Sequence, residues 1–325
     1  MQSRRRVLAI LATGAVSAAF VASAQQKTHR IGLLWIGREG MVSYLAILRE
    51  SLRTLGYIEG RNLVLDERFL VDGYERLPEA AAKLADSKPE LIITYGGTAV
   101  LAARKATATI PILMASGGDP VKMGLATSLS RPGGNVTGVT FISPELSGKR
   151  LELLRELVPD LRRVAVILYS QSQSERQSLK NFESAAKILG VEMQPVDVSS
   201  ADKIAPAIAS VAMMKVGAIM VISSSLFTTN RKLFADEVAK IKLPAIYGNT
   251  DFVDVGGLIA YAPKFSDGLR RLAIYADKIL KGARPGELPI EQPTGFELAV
   301  NVKAANAQGI AIPRSLLLRA DRVIE

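Results

Sequence analysis

Thirteen residues at or just after the ends of predicted strands have the types that could hold a small molecule. They are Trp35, Gly37, Tyr95, Gly96, Gly97, Thr98, Gly118, Asp119, Phe141, Ser170, Ser224, Asn249 and Asp251. Ligands of open parallel sheets bind beyond the carboxyl ends of the strands, which is where these residues are expected. Each turn alone is ordinary turn chemistry, but six such turns occur across both halves of the chain. We therefore predict a ligand-binding cleft between two halves.

The stretch LIITYGGTAVLAARKAT at 91–107 contains the clearest of these turns. An apolar run breaks at Gly96 and Gly97, and helical spacing follows from Thr98. A tight turn capped by Thr98 would explain this pattern, and so would an anion bound to bare glycines at a helix N-terminus. The sequence lacks the G-K-[ST] of a P-loop, and no G-x-G-x-x-G follows a strand. An anion here would therefore be a small group such as a carboxylate, and no cofactor is predicted.

Residues that carry common catalytic chemistry are scarce. His29 is the only histidine and there is no cysteine, which excludes Ser-His-Asp triads, Cys-His pairs and histidine-based zinc sites. Neither G-x-S-x-G nor H-E-x-x-H occurs. Asp119, Asp251 and Asp254 fall in predicted cleft loops, so a carboxylate-dependent hydrolase stays an alternative, although Asp119 could also cap the segment after Pro120. We predict a binding protein without a catalytic or metal site.

Trp35, the only tryptophan, follows the first predicted strand and has two explanations. Its ring could cover the end of the sheet, as large aromatic residues often do. It could also form a wall of the cleft, where an apolar face and one N–H donor would hold a ligand with an aromatic part. The sequence leaves both explanations open.

Residues 1–24 have the layout of a signal peptide. Three arginines precede an apolar stretch, and Ala22-Ser23-Ala24 matches a cleavage site, so we predict export to the periplasm and cleavage after Ala24. A permanent membrane anchor fits less well, because the apolar stretch is short and is broken by Thr13, Gly14 and Ser17. The arginines also resemble a twin-arginine signal, and both export routes fit. Without cysteine, the mature chain carries neither a disulfide nor a lipid-modified cysteine.

The composition suits a soluble protein of two domains. The chain has 325 residues, 48% hydrophobic and 22% charged, and loss of the three leader arginines lowers its formal net charge from +10 to +7. Acidic residues stand among the basic ones, as in Lys149-Arg150-Leu151-Glu152, which is typical of a solvated surface. Basic stripes with interleaved aromatic residues are absent, so no nucleic-acid partner is predicted.

Short apolar runs alternate with longer amphipathic segments from residue 29 onward. This alternation predicts an α/β fold of two Rossmann-like lobes, each a mostly parallel sheet flanked by helices. Glycine, proline and polar residues cluster near 141–144, 248–253 and 286–293, where we predict that the chain crosses between lobes in a three-crossing hinge. The predicted first lobe is 25–142 plus 252–288. The predicted second lobe is 143–251 plus 289–325.

Four stretches closely resemble the ABC-transporter substrate-binding proteins of the TrpX-like family. They are GGDPVKMGLATSLSRPGGNVTGV at 117–139, YGNTDFVDVGGLIAYAP at 247–263, ADKILKGARPGELPIEQPTGFELAVNVKAA at 276–305 and IPRSLLLRADRVIE at 312–325. The resemblance covers essentially all of the mature chain. It implies a periplasmic-binding-protein type 1 fold, in which a ligand is clamped between two lobes.

The family resemblance and the predicted cleft together indicate a function. We expect an exported, monomeric solute-binding protein that captures a small polar, carboxylate-bearing, amino-acid-like metabolite and delivers it to the permease of an ABC importer. A sensor that passes the ligand signal to a membrane receptor is an alternative in the same binding class. Some relatives are associated with aromatic amino acids, and the sequence does not name the ligand.

Overall fold

The computed structural model describes residues 27–36, 42–70, 74–116, 118–141 and 144–325. The strands are β1 (His29–Ile36), β2 (Leu63–Leu70), β3 (Leu91–Tyr95), β4 (Ile112–Ser116), β5 (Val136–Thr140), β6 (Arg163–Leu168), β7 (Glu192–Asp197), β8 (Ala218–Val221), β9 (Ala245–Tyr247), β10 (Ile259–Pro263), β11 (Ile290–Glu291), β12 (Phe296–Asn301) and β13 (Arg322–Ile324). The helices are α1 (Val42–Thr54), α2 (Leu77–Asp86), α3 (Gly97–Ala106), α4 (Pro144–Leu157), α5 (Gln173–Leu189), α6 (Ile204–Met213), α7 (Ser225–Thr229), α8 (Arg231–Ile241), α9 (Asp251–Asp254), α10 (Phe265–Leu280), α11 (Val302–Gln308) and α12 (Arg314–Arg319).

The first sheet has the order β11-β5-β4-β3-β1-β2, and all its strands run parallel. Its central strands are apolar on both faces because helices cover both sides. Helices α1 and α10 pack on one face, and α2 and α3 pack on the other. These elements form the first lobe.

The second sheet has the order β13-β12-β10-β9-β8-β6-β7. Its neighbours run parallel except β10 and β12, which pair antiparallel. Helices α4, α5, α11 and α12 cover one face, whereas α6, α7, α8 and α9 cover the other. These elements form the second lobe, so the expected α/β architecture of two covered sheets is confirmed.

Two of the predicted lobe boundaries need correction. The chain passes from the first lobe to the second between β5 and α4, returns at Lys264, and passes again at 292–295. Segment 252–263 was assigned to the first lobe, but α9 and β10 belong to the second, because β10 pairs with β9 and β12. Segment 289–291 was assigned to the second lobe, but β11 pairs with β5 in the first. The two-residue strand β11 is too short for periodicity to reveal.

Candidate functional site

A cavity lies between the lobes, at the carboxyl ends of strands from both sheets. It encloses about 850 Å³ of space between the protein atoms, part of which is open to solvent. Six of the predicted site residues line it: Tyr95, Gly96, Gly97, Thr98, Phe141 and Ser224. Gly37 lies outside the described residues. The remaining six predicted residues are elsewhere.

Aromatic side chains form much of the first lobe's wall. Tyr95, Phe141 and Phe265 line the cavity, and the rings of Phe141 and Phe265 meet edge to face with centroids 4.5 Å apart. The ring of Tyr95 lies 6.3 Å from that of Phe265. Rigid aromatic walls of this kind suit a ligand with a flat apolar part.

The N-terminus of α3 is the polar part of the same wall. Gly96 is the N-cap residue, and its φ of +91° lies in the region that glycine tolerates best. No side chain caps this helix, so its first N–H groups are available to a ligand anion. Thr98 follows inside the helix and is not the cap that the sequence also allowed.

The glycine pair also faces the second lobe at very short range. A Cβ atom at Gly97 would lie 2.8 Å from Ser174 Oγ, and one at Gly96 would lie 2.5 Å from Ser225 Oγ. Real Cβ atoms do not approach other atoms so closely. The two glycines therefore allow the lobes to meet, besides exposing backbone to the cavity.

Arg150 of α4 is a buried cation in the wall of the second lobe. Its side chain is 7% exposed and lines the cavity. Its Nε donates to the carbonyl of Tyr261 at 2.7 Å, and a terminal nitrogen donates to the carbonyl of Gly248 at 3.5 Å. Burial lowers the pKa of Arg150 to about 10, so the guanidinium is charged at neutral pH. No carboxylate of the described residues forms an ion pair with it.

The position of Arg150 corrects the expectation of a solvated surface. Its neighbour Lys149 is exposed and pairs with Glu152 at 3.2 Å, as expected. Arg150 instead shares the buried face of α4 with Leu146, Leu153 and Leu154. The signal was available, because residues at these spacings lie on one helical face. A charge within an apolar stripe indicates a partner that the sequence does not show.

Glu175 is a buried anion on the second lobe's wall. It lies in the first turn of α5, where Ser172 is the N-cap and its Oγ accepts from the N–H of Glu175. The carboxylate of Glu175 accepts from the N–H of Tyr169 at 2.7 Å. Burial raises the pKa of Glu175 to about 8. The sequence Ser172-Gln173-Ser174-Glu175 has capping-box spacing, which would have placed this carboxyl at a strand end near the cleft.

Small polar side chains fill the rest of this wall. They are Ser147, Ser172, Ser174, Ser178, Asn181, Ser223, Ser224 and Ser225. Residues 174, 178 and 181 lie one turn apart on the same face of α5. Their hydroxyl and amide groups can both donate and accept, and their small size leaves room for a ligand.

Trp35 does not line the cavity. It is fully buried in the core of the first lobe, where its ring stacks on Tyr95 with centroids 5.9 Å apart. Tyr95 lines the cavity, and Trp35 packs behind it. Trp35 is therefore a core residue, more deeply buried than a ring that only covers the end of the sheet, and its indole N–H has no hydrogen-bond partner among the described residues.

Three further predicted site residues stabilise loops instead. Asp119 accepts from the N–H groups of Val121 and Lys122 at 3.0 and 3.2 Å, so it caps the turn after Pro120. Ser170 donates its N–H to Asp197, which fixes the loop after β6. Gly118 is buried beside Met123, whose sulfur would lie 2.3 Å from an added Cβ. None of the three lines the cavity.

Asn249 and Asp251 lie at a second contact between the lobes. The amide of Asn249 donates to Tyr44 of the first lobe at 3.2 Å, and its Oδ1 accepts from the N–H of Asp251 at 2.9 Å. Burial raises the pKa of Asp251. These residues connect the lobes beside the cavity and do not form its wall.

Tyr74 provides a third contact across the cleft. Its ring stacks on Tyr169 of the second lobe with centroids 4.6 Å apart and an angle of 11° between the planes. Its hydroxyl accepts from the N–H of Leu226 at 3.0 Å. With the contacts of Gly97 and Asn249, these interactions hold the lobes in a closed arrangement.

A family model described as ABC transporter substrate binding protein matches residues 34–324. The chain belongs to this family. It is 25% identical over 276 residues to the tyrosine-binding protein of Clostridioides difficile (strain R20291), covering 84% of this chain and 79% of that protein. Proteins of this family capture small-molecule solutes for ABC importers, which confirms the predicted class of function.

Solved structures share the fold of this family member. A conserved domain protein from Vibrio cholerae O1 biovar El Tor superimposes with a TM-score of 0.86 at 24% identity, covering 91% of this chain and 100% of that one. The ABC domain from Streptococcus pneumonia solved in complex with L-Trp gives 0.84 at 24% identity, covering 92% and 100%. These likenesses confirm the predicted periplasmic-binding-protein type 1 fold.

The described residues show no sign of two other classes of site. None of their helices combines the length and apolar character that crossing a bilayer requires. Within the same ranges, no three His, Cys, Asp or Glu side chains are grouped as a metal ion would need.

Proposed function

We propose that this chain captures a small molecule bearing a carboxylate, of amino-acid type, in the interlobe cavity and delivers it to the permease of an ABC importer. The observation that carries this proposal is Arg150, a buried guanidinium whose described surroundings supply only carbonyl oxygens. A buried cation is costly unless it is paired. A ligand carboxylate would provide that partner through a charge-assisted hydrogen bond.

The walls of the cavity also favour an aromatic side chain on the ligand. Tyr95, Phe141 and Phe265 form a wall on which a ring could pack. The relatives that bind tyrosine and L-Trp support the same preference. An aromatic amino acid would bring a carboxylate to Arg150 and a ring to the first lobe.

Closure of the lobes would signal that ligand is bound. Ligand held by one lobe gives the other lobe a surface on which to close, and the permease then recognises the closed form. The proposed export step removes residues 1–24 and leaves a monomer that begins at Gln25. Mass spectrometry of exported protein should give the mass of 25–325, and an intact leader would contradict the cleavage.

Replacement of Arg150 tests the proposed carboxylate site. We expect Arg150→Gln to weaken L-tryptophan or L-tyrosine binding by about 100-fold in isothermal titration calorimetry, because a desolvated charge-assisted bond is lost. Lys149→Gln removes the same charge from the exposed side of the same helix and should change the affinity less than about threefold.

A third variant separates charge from shape. Arg150→Lys keeps the charge without the planar fork, and we expect an intermediate loss. Equal affinities for Arg150→Gln and Lys149→Gln, both folded by circular dichroism, would show that Arg150 does not bind the ligand.

A further inference from the structure

Given the proposed function, on which this inference rests, we propose that Glu175 binds an ammonium group of the ligand. The cavity would then select amino acids over the corresponding acids that lack the amino group. Glu175 would set the specificity for one end of the ligand, and Arg150 would bind the other end.

Glu175 and Arg150 carry opposite charges, and neither has a partner of the opposite charge in the described part of the chain. Glu175 is 3% exposed and Arg150 is 7% exposed, and both line the same cavity from adjacent helices of the second lobe. They do not form an ion pair with each other, and no other charged side chain of the described residues pairs with either. One molecule that carries both a carboxylate and an ammonium would satisfy both charges.

Helix capping does not explain the carboxylate of Glu175. In a capping box the N3 side chain accepts from the N–H of the N-cap residue. Here the N–H of Ser172 donates to the carbonyl of Tyr169 at 3.1 Å, and Glu175 accepts from the N–H of Tyr169. A glutamine could accept from the N–H of Tyr169 and from the nearby hydroxyl of Ser224 without a buried charge. The negative charge is therefore an added cost that a cationic ligand group would offset.

Titration of Glu175 gives this inference a distinct signature. Burial in the closed arrangement of the lobes raises its pKa to about 8, and Asp197 adds to the rise. The other titratable groups that interact with it are Tyr74 of the first lobe and Tyr169 after β6, and Arg150 of α4 lines the same cavity. Burial also raises the pKa values of both tyrosines, and Arg150 stays charged, so Glu175 is the group that changes charge between pH 6 and pH 8.

An ammonium group would favour the ionised form of Glu175. Below pH 8, binding of a zwitterion must therefore release a proton from this carboxyl. We expect the affinity for L-tryptophan to rise by up to about tenfold per pH unit between pH 6 and pH 8 and then to level off. Indole-3-propionate, which has the carboxylate and the ring but no amino group, should not gain affinity over this range.

Calorimetry with three probes and two variants tests the inference. Glu175→Gln should weaken L-tryptophan binding by about 10- to 100-fold and abolish its pH dependence, whereas indole-3-propionate should bind as well as before or better. Glu183→Gln removes a carboxylate from an exposed position of the same helix and should leave both affinities unchanged. L-tyrosine with 3-(4-hydroxyphenyl)propionate provides a second matched pair.

The outcomes distinguish this inference from the proposed function. Equal loss of L-tryptophan and indole-3-propionate in Glu175→Gln would show a structural role and overturn the inference. Wild-type binding of the propionate with equal or greater affinity than L-tryptophan would also overturn it, while the carboxylate site at Arg150 would stand. Tryptamine, which lacks the carboxylate, should bind weakly, and if it binds as tightly as L-tryptophan the proposed function fails instead. Binding of neither amino acid nor propionate would overturn both.

Discussion

The two lobes present different chemistry to the cavity that they share. The described residues of the first lobe contribute aromatic rings, bare glycines and a helix N-terminus, but no charged side chain. The second lobe contributes Arg150, Glu175 and a series of serines. A charged ligand therefore has most of its specific partners on the second lobe, whereas the first lobe matches its shape.

This difference divides recognition from closure. A ligand can satisfy its charges on the second lobe before the cleft closes, and the first lobe then covers it with apolar and backbone groups. Closure around the ligand should remove water from it, which would strengthen the charged contacts already made. Variants of the first lobe should thus alter closure, and variants of the second lobe should alter which ligand binds.

Gly97→Val should produce the largest effect of the first-lobe changes. An added Cβ would lie 2.8 Å from Ser174 Oγ and 3.2 Å from Ser174 Cβ, so the lobes could not meet as they do here. We expect the affinity for L-tryptophan to fall by at least about 100-fold, with little change in the free energy of unfolding because each lobe keeps its core. Calorimetry and urea denaturation measure the two quantities.

A second glycine provides the control for that substitution. Gly134 has open space around its Cβ position and lies in a loop of the same lobe, so Gly134→Ala should preserve the affinity. A folded Gly97→Val protein with wild-type affinity would show that closure does not require this approach.

Glu175→Gln should stabilise the second lobe at high pH. The pKa of this carboxyl is about 8 when folded against an ordinary value of 4.5, so the folded protein favours the protonated form. Wild-type stability should therefore fall as the pH rises from 4.5 to 8, and the variant should escape this loss. We expect the variant's advantage to grow by about 1–3 kcal/mol between pH 5 and pH 8. Thermal melts at both pH values test this, and a constant difference would contradict the burial of charge.

Tyr74→Phe should have a moderate effect on closure. It keeps the stacking on Tyr169 but removes the hydroxyl that accepts from the N–H of Leu226 across the cleft. One such hydrogen bond contributes about 0.5–1.5 kcal/mol, so the dissociation constant should rise by about two- to tenfold. Tyr57→Phe removes a hydroxyl that bonds Asp277 within the first lobe, and it should alter stability without altering affinity. Equal changes in affinity for the two variants would contradict the role of the Tyr74 hydroxyl in closing the lobes.

Trp35→Phe should have the smallest effect on binding. Trp35 is fully buried behind Tyr95, so we expect the substitution to change the affinity by less than about threefold. For the same reason, ligand binding to the wild-type protein should shift the emission of Trp35 little. A large shift in tryptophan emission at saturation, measured with a non-fluorescent aromatic amino acid such as L-phenylalanine or L-tyrosine under red-edge excitation, would place this indole nearer the cleft.

Strong periodic patterns made most of the fold predictable from the sequence. The sequence predicts strands at 63–70 and 163–168 and a helix at 265–280, and these bounds coincide with those of β2, β6 and α10 because each of these runs is long and has clear ends. Short elements such as α7, α9 and β11 were missed, since two to five residues carry no period. Strand β10 lies two residues later than the strand predicted at 257–261, and its assignment to the wrong lobe followed from the same lack of local signal.

The candidate site was predicted less well than the fold. Strand ends located Tyr95, Gly96, Gly97 and Ser224 because topology brings such ends to one edge. The same rule could not separate cavity walls from loop stabilisers such as Asp119. It also omitted Arg150, because helical residues far from strand ends reach the cavity only through the packing of α4 against the second sheet.

A crystal structure of the protein with L-tryptophan tests the division between the lobes most directly. We expect the ligand carboxylate within hydrogen-bonding distance of the Arg150 guanidinium, its ammonium on Glu175 and its ring against Tyr95 and Phe265. A ligand whose charged groups contact only the first lobe, with Arg150 still bound solely to the carbonyls of Tyr261 and Gly248, would contradict the account.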